Sequence, residues 1–460
     1  MDTFLIRLLQ LIVSLSILIV IHEFGHFLFA KLYKIRVERF YLFFHPGFSL
    51  LRFKKIKGKY EFNFLSKNPP EHWKDYPETT MWGLGWLPLG GYCSIAGMVD
   101  ETKSLKDLSV EPQAWEFRTR KAGQRLLVMV GGVLFNFVLA LALYAAILGI
   151  WGNSYLPLQN ATLGMEYSEP ALKAGFQNGD ILLEADGIAL EQFNDDSFRK
   201  IIEASQVKVL RNGQEVTINI PEEFMQQLLS AKQGFAAFRF PTVVKKVIPG
   251  SPGDIAGLLP GDSIVGLNSV ITESFTDFTS LLSQYKDSTI LLTYYRAGNP
   301  GTMQVKLDST TKIGFELKLP ADIYPLKQID YSFFASIPAG VKLGVGKLTG
   351  YAGDMKYVFT KEGARSLGGF GAIGSLFPPS WDWKIFWETT AFLSIILAFM
   401  NILPIPGLDG GHIFFLLFEV VSRRKPNEKF MEYAQMAGML ILFALLIYAN
   451  GNDLFRWLFK

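Results

Sequence analysis

Two histidines and a glutamate near the N-terminus have the residue types and spacing of a metal-dependent hydrolase. They form the run His22-Glu23-Phe24-Gly25-His26, an H-E-x-x-H pattern. On a helix, residues four apart lie on one face, so both imidazoles can bind a single Zn²⁺ while the glutamate acts as general base. The alternative is a polar patch that faces the interior of a helix bundle and has no catalytic role.

A catalytic zinc usually has three protein ligands, and the best further candidates are Asp409 and His412. Both lie in the run NILPIPGLDGGH, residues 401–412. Pro404 and Pro406 remove backbone donors, so a helix should unwind there. Irregular backbone at membrane depth persists only where it lines protein or a cavity, and a carboxylate there favours a cation. The alternatives are that Asp409 caps the following helix and that His412 supports the site or lies at an interface.

The composition restricts the possible kinds of site. The chain has 460 residues, a formal net charge of +3 and one cysteine, Cys93. A single cysteine forms neither an intrachain disulfide nor a cysteine-rich zinc framework, so any metal must be held by histidine and carboxylate. His45 and His72 lie in loop-like sequence and are predicted to be solvated. The small charge and the lack of a recognition motif argue against nucleic-acid binding.

Hydrophobic residues make up 49% of the chain, which is typical of a membrane protein that carries soluble insertions. Four apolar segments are long enough to span a bilayer. They are Phe4–Leu32, Leu126–Trp151, the interrupted segment Phe386–Val421, and Met431–Tyr448.

Basic residues predict the orientation because cytoplasmic loops are enriched in them. They cluster at both ends of the loop between the first two spans and in the loop between the last two. These residues are Lys31, Lys34, Arg36, Arg39, Arg118, Arg120, Lys121, Arg125, Arg423, Arg424, Lys425 and Lys429. Both loops are therefore predicted to be cytoplasmic. In a bacterium, the termini and segment 152–385 would then be periplasmic.

The outer segment contains an internal repeat. EPALKAGFQNGDILLEADGIAL starts at Glu169, and SPGDIAGLLPGDSIVGLNSVI starts at Ser251. Both contain Ala-Gly and Gly-Asp before a short strand, and NG or GN turns between apolar-alternating strands follow each copy. These segments resemble tandem PDZ domains of the circularly permuted bacterial type. Such domains bind peptide C-termini or extended segments by strand addition; the alternative is two spacers that bind nothing.

Taken together, these motifs resemble the bacterial site-2 protease family, and in particular its regulator of sigma-E protease type. The resemblance covers nearly the whole chain. It rests on H-E-x-x-H in the first span, the run Gly132–Phe137 in the second, N-x-x-P-x-P-x-L-D-G in the third, and the PDZ-like repeats. The aromatic stretch from Tyr41 to Trp86 has no detailed match.

The resemblance implies roles for particular residues. His22, His26 and Asp409 would bind zinc, and Glu23 would be the catalytic base. Asn401 would hold the substrate backbone. The core of a membrane-reentrant β element would also contact the substrate; its residues are Leu89, Gly90, Gly91 and Tyr92.

The expected fold is a multi-pass α-helical membrane protein with four transmembrane helices, a membrane-associated β element and two inserted periplasmic PDZ domains. Its expected parts are the first transmembrane helix (1–33), the cytoplasmic loop with the β element (34–122), the second transmembrane helix (123–151), PDZ domain 1 (152–225), PDZ domain 2 (226–322), an amphipathic connector (323–385), the third transmembrane segment (386–422), and the fourth helix with the C-terminus (423–460).

The connector has two interpretations. Residues 331–360 have helical amphipathic spacing, as in a helix lying on the outer membrane face, and the resemblance implies a helix that gates substrate access. The alternative is a packing element between the repeats and the third span.

The predicted function is an intramembrane zinc metalloendopeptidase of the bacterial inner membrane, with its active site opening toward the cytoplasm. By resemblance, its substrates are single-span membrane proteins, such as an anti-sigma factor or remnant signal peptides. One rival is a catalytically inactive PDZ scaffold in the membrane. The other is a metal transporter, because intramembrane histidine and aspartate also suit ion pathways.

Overall fold

The H-E-x-x-H run lies in a long apolar helix, α1 (Asp2–Leu32). The computed structural model describes residues 2–88, 90–98, 111–231, 233–358 and 360–458. The chain divides into two compact units. One comprises Met1–Gly152 and Asp330–Lys460, and the other is the insertion Asn153–Ile329.

A five-stranded sheet follows α1. Its strands are β1 (Val37–Leu42), β2 (Ser49–Ile56), β3 (Lys59–Ser66), β4 (Met81–Leu84) and β5 (Tyr92–Ile95). The spatial order is β3-β2-β4-β1-β5, in which only β1 and β4 run parallel. Among the described strands, β3 and β5 are therefore the two edges.

The two faces of this sheet differ in chemistry because side chains alternate along each strand. On one face, the rings of Phe40, Trp82, Phe53 and Phe62 follow one another across four strands, with centroids 4.7, 6.2 and 5.8 Å apart. On the other face, the buried guanidinium of Arg52 donates to the Tyr41 hydroxyl, the Ser49 hydroxyl and the Lys67 carbonyl. Satisfying those donors makes the burial of a charged side chain tolerable.

Helix α2 (Ala122–Trp151) packs against α1 at a pair of glycines. A Cβ on Gly25 would collide with the backbone of Gly131, and a Cβ on Gly131 would lie 2.6 Å from the Gly25 carbonyl oxygen. The two helix backbones therefore touch at the glycine between the motif histidines, as small residues allow in membrane helix pairs.

The inserted unit contains two segments that share the order strand, short helix, two strands, helix, two strands and a closing strand, and the first segment also has β6 at its start and α5 before its closing strand. The first contains β6 (Asn153–Tyr155), β7 (Met165–Tyr167), α3 (Glu169–Lys173), β8 (Ile181–Ala185), β9 (Ile188–Ala189), α4 (Asp195–Glu203), β10 (Gln206–Arg211), β11 (Gln214–Asn219), α5 (Phe224–Ala231) and β12 (Ala236–Phe238). The second contains β13 (Thr242–Val247), α6 (Pro252–Ile255), β14 (Ser263–Leu267), β15 (Val270–Ile271), α7 (Phe275–Leu282), β16 (Thr289–Arg296), β17 (Asn299–Lys306) and β18 (Phe315–Leu317), before α8 (Pro320–Ile323) and β19 (Lys327–Ile329).

Strand pairing shows where each repeat ends. β12 pairs with β7, and β18 pairs with β13. The boundary expected after residue 225 lies inside α5, and the chain returns to the first repeat at β12. β19 pairs with β6, so the two ends of the insertion lie side by side.

The aspartate of each Gly-Asp pair is held by an arginine at the end of a strand. Arg211 donates to both carboxylate oxygens of Asp180 at 2.8 and 2.7 Å, and Arg296 does the same to Asp262 at 2.7 and 2.6 Å. Burial would raise the pKa of Asp262, but hydrogen bonds from Arg296 and the Leu259 amide hold that pKa below its ordinary value. The repeated sequence pattern thus encodes a repeated buried ion pair.

The chain then returns to the first unit as a set of helices. They are α9 (Phe333–Val358), α10 (Lys361–Ser366), α11 (Phe370–Ser375), α12 (Trp383–Ile402), α13 (Asp409–Ser422) and α14 (Glu428–Leu458). The break between α12 and α13 covers residues 403–408 and contains both prolines. α2 and α12 share an apolar core of Ala140, Tyr144, Ile147, Ala391 and Ile395.

Four of the described helices are long and apolar enough to cross a membrane: Thr3–Leu32, Ala122–Trp151, Trp383–Ile402 and Lys429–Arg456. The predicted number of such helices is confirmed on length and composition. α13 is too short to belong to this set, so the interrupted third segment consists of one candidate span and a separate 14-residue helix.

Candidate active site

The two motif histidines lie one turn apart on the face of α1 that meets α2. Both are buried, and their rings are 4.9 Å apart at 79°. The His22 and His26 Nε2 atoms are 3.2 Å apart. The i, i+4 spacing thus aims the same ring atom of both side chains at one point.

Asp409 brings a carboxylate to that point from the start of α13. Its Oδ2 lies 2.9 Å from the Nε2 of His22 and 3.3 Å from the Nε2 of His26. Leu408 is the N-cap residue of α13, so Asp409 does not have the capping position considered as an alternative.

Glycines allow the chain to make the sharp turn that presents Asp409. Gly407 has a positive φ of 93°, which glycine adopts without strain. A Cβ on Gly410 would collide with the Leu403 carbonyl, and one on Gly411 would lie 2.8 Å from the Cα of Pro406. α13 therefore folds back tightly onto the 403–408 break.

The three side chains fit a zinc ion. One ligand atom from each of His22, His26 and Asp409 lies within 4.8 Å of the others, so the three could hold a single metal ion. Oδ2 of Asp409 is buried and meets no donor in hydrogen-bonding geometry among the described residues. A buried carboxylate oxygen between two imidazole nitrogens is costly unless a cation satisfies all three. Two histidines and one carboxylate are the ligand set of a catalytic zinc that keeps one position open.

Glu23 lies beside this group. Its carboxylate is close enough to interact electrostatically with both histidines and Asp409, and it accepts a hydrogen bond from the Cys93 backbone. Cys93 belongs to β5, the edge strand. A backbone group of the β sheet therefore holds a carboxylate that can act as a base next to the candidate metal ligands.

The predicted substrate-contacting residues lie in different places. Gly91 packs against α1 one turn before His22, since a Cβ there would lie 2.7 Å from a methyl group of Ile19. Gly90 lies against the ring of Phe44, and Tyr92 begins β5. Leu89 is outside the described residues.

Asn401 lies in the last turn of α12, half-buried. Its backbone oxygen would be 3.0 Å from a Cβ on Gly410. It therefore lies in α12, beside the start of α13, the helix that carries Asp409.

The remaining histidines lie outside the group. His412 in α13 pairs with the Gln435 side chain of α14. His72 forms an exposed ion pair with Glu61 at 2.6 Å. The expectation that His45 is solvated is wrong: its ring stacks on Tyr41 with centroids 4.2 Å apart, and burial lowers its pKa.

Sequence reasoning missed the contribution of α2 to the site. The Nδ1 of His26 lies 2.9 Å from the Val128 carbonyl oxygen, and the Nδ1 of His22 lies 3.1 Å from the Asn136 side-chain amide. Between them, a Cβ on Gly132 would lie 2.5 Å from the Nε2 of His26. The signal that could have revealed this was the spacing of Gly132 and Asn136, which matches that of the two histidines.

The chain is similar to known metalloproteases over nearly its whole length. The sequence model of peptidase family M50 matches residues 10–66 and 69–445. A Neisseria meningitidis protein named "Putative zinc metalloprotease" is 25% identical over 98% of this chain and 99% of its own length. The Caulobacter vibrioides protein named "Metalloprotease MmpA" is 26% identical over 99% of this chain and 96% of its own length.

One similarity to a solved structure is confined to a small part of the chain. The PDZ domain of an SdrC-like protein from Listeria monocytogenes is 22% identical, with a TM-score of 0.16. The match covers 17% of this chain and 86% of that domain.

Proposed function

Because the chain belongs to peptidase family M50, the site-2 protease family, we propose that it is a zinc endopeptidase that cleaves peptide bonds inside the membrane-spanning segments of single-span proteins. Membership in this family makes the chain a metalloprotease, and four of the described helices are long and apolar enough to cross a membrane. The proposal adds the metal, the residues that act and the class of substrate.

The observation that carries the proposal is the convergence of three ligand atoms beside the carboxylate of Glu23. His22, His26 and Asp409 would hold the zinc, and Glu23 would be the base. Zinc, when bound, supplies a Lewis acid that acidifies water and polarises a carbonyl. Glu23 takes the proton of the attacking water and returns it to the leaving amine nitrogen. The Cys93 amide keeps the Glu23 carboxylate in place during both transfers.

The presence of a base argues against the two rival functions. A purely structural zinc would usually have all four positions filled by protein ligands and would need no carboxylate such as Glu23. A metal transporter needs no base beside its ligands either. A carboxylate held next to three ligand atoms therefore favours the hydrolase.

The β sheet is proposed to bind the substrate as an added strand. A helical substrate has its carbonyl groups in internal hydrogen bonds, so it must unwind before it is cut. β5 has a strand partner on one side only among the described strands, and its backbone contacts Glu23. An unwound segment paired to the β5 edge would therefore pass the base, and Asn401 would complete its backbone hydrogen bonds.

The two repeats of the insertion are proposed to be PDZ domains that bind peptide. Within the described part of the chain, β12 and β18 each pair with one strand and are therefore edge strands of their sheets. Each of these edges can accept an extended segment or a chain terminus. The substrates that fit this arrangement are single-span proteins with a short outer end, such as an anti-sigma factor after a first cut, or remnant signal peptides. Such a process is regulated intramembrane proteolysis.

The orientation is proposed from charge. The lysine- and arginine-rich loops 34–122 and 423–429 would face the cytoplasm, and the termini and the insertion would face the periplasm of a bacterial inner membrane. The active site would then open toward the cytoplasm, from which water enters.

Two substitutions separate metal binding from catalysis. Glu23→Gln keeps the metal ligands but removes the base, so the variant should retain about wild-type zinc and lose cleavage by at least roughly 10²-fold. Asp409→Ala should lose both zinc and cleavage. Elemental analysis of the purified proteins beside a cleavage assay tests this, with the surface variant Lys286→Ala as the control. A Glu23→Gln protein that still cleaves would remove the proposed mechanism.

A further inference from the structure

Three residues of α2, each one turn apart, lie against the two motif histidines. Val128, Gly132 and Asn136 follow an i, i+4, i+8 spacing, which places them on one helix face. Val128 meets the Nδ1 of His26, Gly132 lies under both Nε2 atoms, and Asn136 meets the Nδ1 of His22. One face of α2 therefore contacts the Nδ1 atom of both rings and lies close to both Nε2 atoms.

The contact to His26 fixes the position of its proton. A backbone carbonyl can only accept a hydrogen bond, so at 2.9 Å from the Val128 oxygen the Nδ1 of a neutral His26 must carry the proton. Nε2 is then a lone pair aimed at Asp409 and His22. This is the tautomer that a metal ligand needs.

The contact to His22 is made by a side chain that can either donate or accept. Two orientations of the Asn136 amide, related by a 180° rotation, place either its nitrogen or its oxygen against Nδ1. With the nitrogen there, Nδ1 is the acceptor and the proton of a neutral ring sits on Nε2, where it blocks metal binding. The Asn136 oxygen is then buried with no donor among the described residues, which costs free energy. With the oxygen there, Nδ1–H has an acceptor and Nε2 is free.

We propose that Asn136 is a positioning residue for the metal centre, whose amide oxygen accepts the Nδ1–H of His22 and thereby keeps the Nε2 lone pair of that ring directed at the metal. This inference rests on the proposed zinc site. It gives the run Gly132–Phe137 a chemical role: Gly132 makes room for the two imidazoles, and Asn136 sets the tautomer of one of them.

The surroundings of Asn136 suit this role. Asn136 is fully buried, and its backbone carbonyl accepts a hydrogen bond from the Ser394 hydroxyl at 2.7 Å. α12 thus holds the α2 backbone at the level of the His22 ring. A buried amide in an apolar helix is costly unless it is paired, and among the described residues the His22 ring is the side chain that pairs with the Asn136 amide.

The test is zinc affinity, measured by competition with a chelator on the purified full-length protein and three variants. Asn136→Leu keeps the volume and removes the acceptor, so affinity should fall roughly 10- to 100-fold, as when outer partners of metal-binding histidines are lost. Asn136→Asp keeps an acceptor oxygen and should bind zinc within a few-fold of wild type. Gly123→Ala adds a methyl group at a position of α2 where nothing lies within 4 Å and is the matched control, with affinity near wild type.

The pattern across variants decides the matter. Wild-type affinity in Asn136→Leu would overturn the proposal. So would equal losses in the Leu and Asp variants, since that result would mean that helix packing is responsible. Thermal unfolding of each variant shows whether a loss of zinc affinity comes from unfolding. If the Asn136→Asp variant is unfolded, the comparison of Asn136→Leu with wild type is the decisive one. A wild-type protein that binds no zinc would remove the proposed function itself, whereas equal binding by wild type and Asn136→Leu removes only this inference.

Discussion

At the scale of single residues, the chemistry depends on atoms that come from three separate helices and a strand. Residue types and spacing predict His22, His26 and Glu23, because the i, i+4 relation is a property of one helix and needs no tertiary information. Asp409 was predicted from a carboxylate set in a proline- and glycine-rich break. Val128 and Asn136 were not assigned roles, because the register between two helices decides which turn of α2 faces which ring.

Gly132 has no room for a side chain beside the two motif histidines. Gly132→Ala places a Cβ 2.5 Å from the Nε2 of His26 and 2.7 Å from the Nε2 of His22. Neither ring can move away without breaking its Nδ1 contact, so zinc affinity should fall at least about tenfold, as when ligand orientation is disturbed. Chelator competition measures this.

Gly123→Ala is the matched control on the same helix. A Cβ at Gly123 meets nothing within 4 Å, so zinc affinity should stay at the wild-type value. If the two alanine variants bind zinc equally well, then the closeness of α2 to the rings has no consequence for the site.

At the scale of elements, patterns of hydropathy predicted the positions of the helices in the sequence better than they predicted which helices pack against each other. The helix at α9 was expected either to lie on the outer membrane face or to act as a packing element. In the structure it packs along α2: Ser336, Gly340 and Gly344 are buried, and a Cβ on Gly340 would collide with the backbone of Ala145. Small residues such as glycine and serine make a helix face look less hydrophobic in the sequence. They are nevertheless the residues that allow two helices to pack closely.

The packing of α9 on α2 predicts that alanine substitutions at two glycines of α9 have opposite effects on the free energy of unfolding. Gly340→Ala should lower the free energy of unfolding by about 1–3 kcal/mol, because the backbone it meets cannot move aside. Gly346→Ala meets nothing within 4 Å and should raise it by up to about 1 kcal/mol through helix propensity. Thermal unfolding in detergent measures both. A destabilised Gly346→Ala beside an unaffected Gly340→Ala would contradict the packing of α9 on α2.

At the scale of the whole molecule, the chain is a unit of helices and one five-stranded sheet, interrupted once by an insertion. The repeat pattern predicted two similar segments in the insertion, because Gly-Asp and the following strand recur at a fixed spacing. It did not predict where the first segment ends, since β12 returns to β7 only after α5, and pairing between distant strands leaves little local signal in the sequence. The aromatic stretch 41–86 could not be matched in detail, and it contains most of the five-stranded sheet.

The orientation in the membrane gives a prediction at this scale. In a Cys93→Ser background, Lys286→Cys lies on the exposed surface of the insertion and Lys59→Cys at the exposed start of β3. A membrane-impermeant thiol reagent applied to spheroplasts should label the first and spare the second, and lysis should make both reactive. Labelling of position 59 in intact spheroplasts would reverse the proposed orientation.

The most direct test of the central claim is cleavage of a tagged single-span substrate in liposomes containing the purified protein, with the products mapped by mass spectrometry. We expect a cut within the apolar span that disappears in Glu23→Gln and on zinc chelation, and that returns for the wild type when zinc is restored. Cleavage that persists in Glu23→Gln, or that falls only outside the span, would contradict it.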